Sequence, residues 1–153
     1  MKLNFPSLLF GILLFSCQQY VKTGQKTIPA QKPEDCMAQV IALDDSLGKV
    51  RNRACQTISL SATIREYADG MEKISYQGCP AAFTSAFKKH REAWLALLPV
   101  TDLYPDLRGE MHVLFKQLES GEHAERFKPL VKTVWDTWGE VEAAMKKKQT
   151  GAN

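Results

Sequence analysis

A repeat of apolar residues between Cys79 and Pro99 constrains the fold more than any other feature of this sequence. The positions of the stripe follow one another at intervals of four and three residues, which places them on one face of a helix. They are Phe83, Phe87, His90, Trp94 and Leu97. Pro80 suits a first helical position, and Pro99 ends the helix one residue after Leu98. We therefore predict a helix here whose apolar face forms part of the core.

The same spacing recurs in four other segments. Two stripes precede the first, at Met37, Val40, Leu43, Leu47, Val50 and Ala54, and at Leu60, Ile64, Tyr67, Met71 and Ile74. Two follow it, at Leu103, Leu107, Met111, Leu114 and Leu118, and at Phe127, Leu130, Val134, Trp138, Val141 and Met145. No stretch alternates with the period of two that strands require. We predict an all-α fold, an antiparallel bundle of four or five helices.

The helix boundaries follow from breaks in these stripes. The phase slips by one residue between the first two stripes, which predicts a bend within residues 48–59 and two helices forming a hairpin. A single long kinked helix is the alternative. Asp102 is a candidate N-cap for the next helix, after a turn at residues 100–105. Pro129 should kink the last helix or mark its start.

The first seventeen residues have the composition of an export signal. Lys2 supplies the charged start, residues 5–15 the apolar centre, and Ser16 a small residue before a cleavage site. The apolar centre is too short to span a bilayer. We expect a signal peptide at residues 1–16, a tether rich in Gln, Lys, Thr and Pro at residues 17–33, a helical domain at residues 34–148 and a disordered tail at residues 149–153.

Leu14-Phe15-Ser16-Cys17 resembles the lipobox of bacterial lipoproteins. The resemblance implies cleavage before Cys17 and attachment of diacylglycerol to its sulfur, with acyl chains such as palmitate as the membrane anchor. Gln18 is not the aspartate that resembles an inner-membrane retention signal, so we expect an outer-membrane lipoprotein facing the periplasm or the cell surface. The alternative is an ordinary secretory signal with an incidental cysteine.

Three cysteines remain in the predicted domain. In an exported chain the compartment is oxidising, so a disulfide is expected. A hairpin of the first two helices brings the start of one beside the end of the other, and Cys36 and Cys79 stand at those two places. We predict that they pair and that Cys55 is the odd thiol. On one unbroken helix, Cys55 and Cys79 would lie about 36 Å apart, beyond any bridge.

Charge and motifs exclude several functional classes. The net charge of +3 is too small to indicate nucleic-acid binding. The sequence lacks a nucleophile elbow, a phosphate-binding glycine loop and the spacings of zinc proteases and di-iron bundles. The adjacent Asp44 and Asp45 do not converge on a helix, so we expect them on a solvated face. These observations favour a protein that is not an enzyme.

Histidine and tryptophan side chains are the remaining candidates for a site. His90 lies within an apolar stripe, where a hydrogen-bonded core imidazole is the favoured interpretation and a haem or metal ligand is the alternative. A metal site would need His90, Met111, His112 and His123 to converge. Trp94 and Trp138 are predicted to fill the core rather than to form a ligand box, whereas Trp135, at the flank of its stripe, is expected to be partly exposed.

One further resemblance concerns the helical region. The region resembles small, uncharacterised helical lipoproteins or exported proteins of Gram-negative bacteria, from which no activity can be transferred. The residues that carry the resemblance are Leu47-Gly48, Arg51-Asn52, Ala54-Cys55 and Cys79-Pro80, followed by Phe83, Phe87, His90 and Trp94. From the anchor and tether we expect a non-catalytic binding or interaction module of the cell envelope. It would contact the membrane through its lipid, use no cofactor, bind no nucleic acid and have an envelope protein as a possible partner. A metal- or haem-binding bundle is the alternative.

Overall fold

An antiparallel bundle of helices forms the fold, as the apolar stripes predicted. The computed structural model describes residues 32–149, and within that range no residue lies in a strand. The helices are α1 (Pro33–Ala54), α2 (Leu60–Glu72), α3 (Ala81–Leu95), α4 (Leu98–Thr101), α5 (Met111–Glu119) and α6 (Ala124–Gln149). None of these helices combines the length and hydropathy needed to cross a bilayer. The predicted signal peptide, the predicted lipidation site Cys17 and the predicted tether up to residue 31 lie outside the described residues.

Helix α3 is the centre of the bundle, because it packs against both α2 and α6. Phe83 and Phe87 from α3 and Phe127 from α6 are fully buried, and they fill the core together with Leu60 and Ile64 from α2. Each such side chain contributes about 1.5–3 kcal/mol by leaving water. The apolar stripe predicted for residues 83–97 is therefore confirmed as part of the core, with α2 and α6 packed on α3, while α1 packs on α2 and α5 on α6.

Helices α1 and α2 form the predicted hairpin, which excludes the single kinked helix. Helix α1 ends at Ala54 and α2 begins at Leu60. The Ser59 hydroxyl caps α2 by accepting a hydrogen bond from the Ala62 backbone N–H at 3.3 Å. Farther along, a Cβ atom at Gly70 would lie 2.6 Å from Leu47 Cδ2, so the absence of a side chain there permits the close approach of the two helices.

A disulfide closes the open end of this hairpin. It joins Cys36, in the first turn of α1, to Cys79, between α2 and α3, with the Cα atoms 5.3 Å apart. This is the pair that the sequence analysis selected. Gly78 precedes the bridge with a φ of 83°, a conformation that glycine adopts without a Cβ clash. Cys55 is the free thiol, as expected.

The prediction for residues 98–110 was wrong in two respects. Pro99 does not end the helical region but lies in the first turn of α4, where its missing N–H costs nothing. Asp102 follows α4 as its C-cap and accepts two hydrogen bonds from Arg65, at 2.8 and 2.6 Å, instead of capping the next helix. Helix α5 starts only at Met111, where the Glu110 side chain accepts from the Val113 backbone N–H. The Asp102 carboxylate thus binds Arg65, which the tertiary structure brings beside it.

The connection from α4 to α5 is fixed to the corner between α1 and α2. The backbone N–H of Gly109 donates to the Cys55 carbonyl at 2.8 Å, and that of Leu60 donates to the Leu107 carbonyl at 2.7 Å. Because these groups are paired, the loop has a defined path and holds the start of α5 beside α1.

Two features of helix α6 bear on its prediction. It begins at Ala124, five residues before Pro129, which excludes Pro129 as the start of the helix and leaves a kink at Pro129 as the prediction. At the other end the helix includes Gln149, which was predicted to belong to the disordered tail, while residues 150–153 lie outside the described range.

The Cys55 thiol is expected to be unreactive while the protein is folded. Its side chain is fully buried, and burial raises the pKa of the thiol, so the reactive thiolate is scarce. Alkylation with iodoacetamide followed by peptide mass mapping should leave Cys55 unmodified in native protein and modify it in urea. Modification of the native protein at the rate of an unfolded peptide would contradict this burial.

Candidate functional site: a cavity around Arg51

A cavity of about 290 Å³ opens between α1 on one side and α5 and α6 on the other, with residues of α2 and α3 at its base. We call it the Arg51 cavity. Its lining residues are Asp44, Asp45, Gly48, Lys49, Arg51, Asn52, Tyr67, His90, Trp94, Met111, His112, Phe115, Val134, Trp135 and Trp138. Five helices contribute to it, and its volume lies near the lower end of the ~300–1,000 Å³ typical of small-molecule sites.

A second depression runs along α3 and α6, with a volume of about 540 Å³. It is lined by lysine, glutamate, serine, threonine and alanine side chains, and no aromatic residue contributes to its wall. The Arg51 cavity instead combines aromatic surfaces with converging polar groups, which is the usual character of a binding site. We therefore treat the Arg51 cavity as the candidate site.

Helix α1 presents two charged residues to the protein interior. Asp44 and Arg51 are seven residues apart, which places both on the face that also carries Met37 and Val40. The sequence analysis assigned the inward face to Leu43 and Val50, and this was wrong, since the side chains of both are half-exposed. The expectation that Asp44 faces solvent was wrong for the same reason.

The rotation of α1 has a physical cause. The disulfide holds Cys36 in the core, and Cys55 is buried just after the last turn, so both ends of the helix are fixed in one orientation. Between them, Asp44 is only 8% exposed, and its Oδ1 accepts a hydrogen bond from the Tyr67 hydroxyl at 2.6 Å. Burial raises the pKa of Asp44, and burial together with the neighbouring carboxylate raises the pKa of Tyr67. A short hydrogen bond thus offsets the cost of burying the carboxylate.

Arg51 lies against two aromatic rings. Its guanidinium carbon is 4.5 Å from the centroid of the Tyr67 ring and 4.3 Å from that of Trp94, both distances typical of cation–π contacts. Its Nε and Nη2 both donate to Asn52 Oδ1 at 3.2 Å. Burial lowers the pKa of Arg51, but a guanidinium remains charged in a protein. In the described part of the chain, no carboxylate forms an ion pair with it.

His90 supports the base of the cavity through both ring nitrogens. Nε2 accepts a hydrogen bond from Trp94 Nε1 at 3.1 Å, and because indole N–H is only a donor, the neutral ring carries its proton on Nδ1. Nδ1 lies 3.0 Å from the Thr137 hydroxyl oxygen, which can accept that proton. Burial lowers the pKa of His90 to about 4. The arrangement matches the favoured interpretation of a hydrogen-bonded core imidazole.

The proposed metal ligands are only partly brought together. His90, Met111 and His112 line the cavity, whereas His123 lies outside it, with its ring centroid 6.0 Å from that of Tyr104. Both nitrogens of His90 already have hydrogen-bond partners, and His112 Nδ1 lies 2.7 Å from Glu110 Oε1. Within residues 32–149, no three His, Cys, Asp or Glu side chains are grouped so that they could hold a metal ion.

The three tryptophans share a position at the Arg51 cavity that their spacing in the sequence did not predict. Trp94 is buried, as expected, and Trp135 is 61% exposed, in agreement with its predicted place at the flank of the stripe. Trp138 is partly buried and donates to Glu142 Oε1 at 3.0 Å. All three also line the Arg51 cavity, so core filling and a ligand box are not exclusive alternatives here.

The chain matches no family model, no curated protein and no solved structure at a significant level of similarity.

Proposed function

We propose that this protein is a lipid-anchored, non-catalytic binding module of the bacterial cell envelope and that the Arg51 cavity is its ligand site. The observation that carries the proposal is a partly buried guanidinium stacked on Tyr67 and Trp94 inside a cavity lined by three tryptophans. An enclosed apolar wall with a few fixed polar groups is the usual design of a site for a small molecule.

Binding explains the chemistry of the cavity better than catalysis does. The Asp44 carboxylate accepts from Tyr67, and the two nitrogens of His90 are taken up by Trp94 and Thr137. These are the titratable groups at the base of the cavity, and each is held by a neighbouring side chain. A general base must have a lone pair within reach of substrate, and the His90 imidazole offers none in this arrangement.

A screen of small aromatic compounds by ligand-observed NMR tests the binding role. The full-length protein in detergent micelles is compared with the Trp135→Ala variant, using empty micelles as a blank. Trp135 lines the cavity but is largely exposed, so its removal should weaken binding about tenfold without unfolding the protein. Leu103→Ala, an exposed residue outside the cavity, is the matched control. Absence of binders, or binders insensitive to Trp135→Ala, would contradict the proposal.

The lipid anchor gives a separate prediction, because it depends on residues outside the described range. Protein extracted from its native membrane should begin at Cys17 and carry the mass of two or three acyl chains. Replacement of Cys17 with Ser should abolish that added mass and release the protein from the membrane. A mature chain without acyl mass would leave the ordinary secretory signal as the correct interpretation.

The alternative function, metal or haem binding, is tested with the same native preparation. Elemental analysis and an absorption spectrum are recorded for the wild type and for the His112→Gln variant. Stoichiometric metal or a haem band that disappears in the variant would favour the alternative. A crosslinked envelope protein in a preparation free of metal would instead support an interaction module.

A further inference from the structure

The polar groups of the Arg51 cavity differ in how completely they are already paired. Asp45 and Lys49, at the rim, form an ion pair at 2.6 Å, and Asp44 is nearly covered and bonded to Tyr67. Arg51 has five N–H donors, and Asn52 Oδ1 engages only Nε and Nη2. Tyr67 is a further hydrogen-bonding neighbour of the guanidinium, which still leaves N–H donors for a ligand. Arg51 is also partly buried and forms no ion pair within residues 32–149, whereas Lys49 is exposed and paired with Asp45.

The aromatic walls determine which charge a ligand can carry. An aromatic cage often recognises an organic cation, but here the faces of Tyr67 and Trp94 are already covered by the Arg51 side chain. A cationic ligand would meet this guanidinium at short range and be repelled. An anion would instead gain charge-assisted hydrogen bonds from a donor fork that stacking already holds in place.

The surroundings of Arg51 also limit how much negative charge the ligand can carry. The other cation among the lining residues, Lys49, is paired with Asp45, and the buried Asp44 carboxylate lies on the same face of α1. A dianion such as a phosphate monoester would meet one available guanidinium and one nearby carboxylate. A planar carboxylate with a single charge matches the fork of one arginine.

On these grounds we infer that the ligand is a small monocarboxylate with a planar apolar body, whose carboxylate binds Arg51 and whose ring packs against Trp135, Trp138 and Phe115. This inference rests on the proposed binding function of the cavity. The volume of about 290 Å³ suits a body of one or two rings, and indole rings prefer stacked or edge-to-face contact with such a body.

Three probes with the same ring and different charge test the inference directly. They are indole-3-acetate, its neutral amide indole-3-acetamide, and the cation tryptamine, each titrated into the full-length protein in detergent at pH 7 and followed by ligand-observed NMR. We expect the acetate to bind at least about tenfold more tightly than the amide, and tryptamine to bind most weakly. This comparison uses wild-type protein and does not depend on the folding of a variant.

Variants then test whether Arg51 is the residue that causes the preference for the acetate. Arg51→Gln should remove the preference for the acetate over the amide, and Arg51→Lys should retain only part of it, because an ammonium group lacks the planar fork. Lys132→Gln, which removes an exposed cation paired with Asp136 outside the cavity, is the matched control and should leave the preference intact. Lys49→Gln reports separately on the rim cation that is paired with Asp45. Circular dichroism and a melting curve verify that each variant is folded.

The possible results separate this inference from the function on which it rests. Equal or tighter binding of the amide or of tryptamine would overturn the inference while supporting a binding cavity. Failure of all three probes would also overturn it, and the screen with Trp135→Ala then decides independently whether the cavity binds other compounds. A preference for acetate that survives Arg51→Gln but is lost in Lys49→Gln would place the anion at the rim and contradict the assignment to Arg51.

Discussion

Removal of the Cys36–Cys79 disulfide should lower the free energy of unfolding by about 4 kcal/mol, as expected for a bridge that closes a loop of this length. The bridge spans 43 positions and encloses both helices of the α1–α2 hairpin, so it strongly restricts the unfolded chain. Small domains are stable by only about 5–15 kcal/mol, and the loss is therefore a large fraction of the total. Urea unfolding of the Cys36→Ala/Cys79→Ala double variant measures it.

Two comparisons identify the bridge as the cause. Wild-type protein treated with a reductant should lose about as much stability as the double variant. Cys55→Ala removes a buried thiol but keeps the bridge, so it should lower the free energy of unfolding by only about 1 kcal/mol. Under non-reducing conditions this variant should therefore keep most of the stability of the wild type. Equal stability of the oxidised wild type and the double variant would refute the contribution assigned to the disulfide.

The sequence predicted the helical segments well because each stripe contains many apolar residues on one face. Phe83, Phe87 and Leu97 in the region of α3, and Phe127 and Val141 in α6, are all buried, as their spacing indicated. The hairpin and the cysteine pair followed from the phase slip between the first two stripes. These features depend on periodicity along the chain, which a single sequence displays directly.

The interior position of Asp44 and Arg51 could not be predicted in the same way. Hydrophobic periodicity favours Leu43 and Val50 over their charged neighbours as the residues that face the core. A shift of one position along the sequence changes the predicted inward face of a helix by about 100°. The observed rotation is fixed by the disulfide at Cys36, by the buried Cys55 and by the hydrogen bond from Tyr67, which is 23 residues from Asp44 along the chain. A weak signal was nevertheless present, since Asp44 and Arg51 are spaced four and eleven residues after Val40, on its face of the helix.

The cavity itself depends on tertiary structure. Its walls come from five helices, and α5 reaches it only because the preceding loop is bonded to the Cys55 carbonyl through Gly109. The predicted position of that loop was wrong, because the donors to the Asp102 carboxylate were expected to be backbone N–H groups of the next helix, whereas the donor is Arg65. The apolar spacing of the sequence therefore predicted core residues but not the Arg51 cavity between the helices.

His90 should make the stability of the protein depend on pH between about 4 and 6.5. Its pKa is lowered to about 4 in the folded protein by burial, whereas an unfolded histidine titrates near 6.5. As the pH falls below 6.5, the unfolded chain takes up this proton first, so unfolding becomes more favourable. The contribution of neutral His90 to the free energy of unfolding is fully present above pH 6.5. About 3 kcal/mol of it is lost by pH 4, at 1.36 kcal/mol per pKa unit.

Other titratable groups oppose this loss of stability at low pH, so the His90→Gln variant and the wild type must be compared at each pH. Burial raises the pKa of Asp44, and the folded state therefore binds a proton at Asp44 more readily than the unfolded state, which favours folding as the pH falls. Asp44 is present in both proteins and cancels in the difference. The His90→Gln variant should be less stable than wild type at pH 7, and this deficit should shrink by about 3 kcal/mol at pH 4.

Urea unfolding at several pH values measures this difference, and His112→Gln is the matched control because its side chain is 77% exposed. The His90 variant also tests the structural role of the imidazole against the ligand role. Gln can replace one hydrogen bond but not both, so Trp94 or Thr137 loses a partner and stability falls while any bound metal is retained. A deficit that stays constant between pH 7 and pH 4 would contradict a neutral buried imidazole, and a haem band lost from the variant would make His90 a ligand.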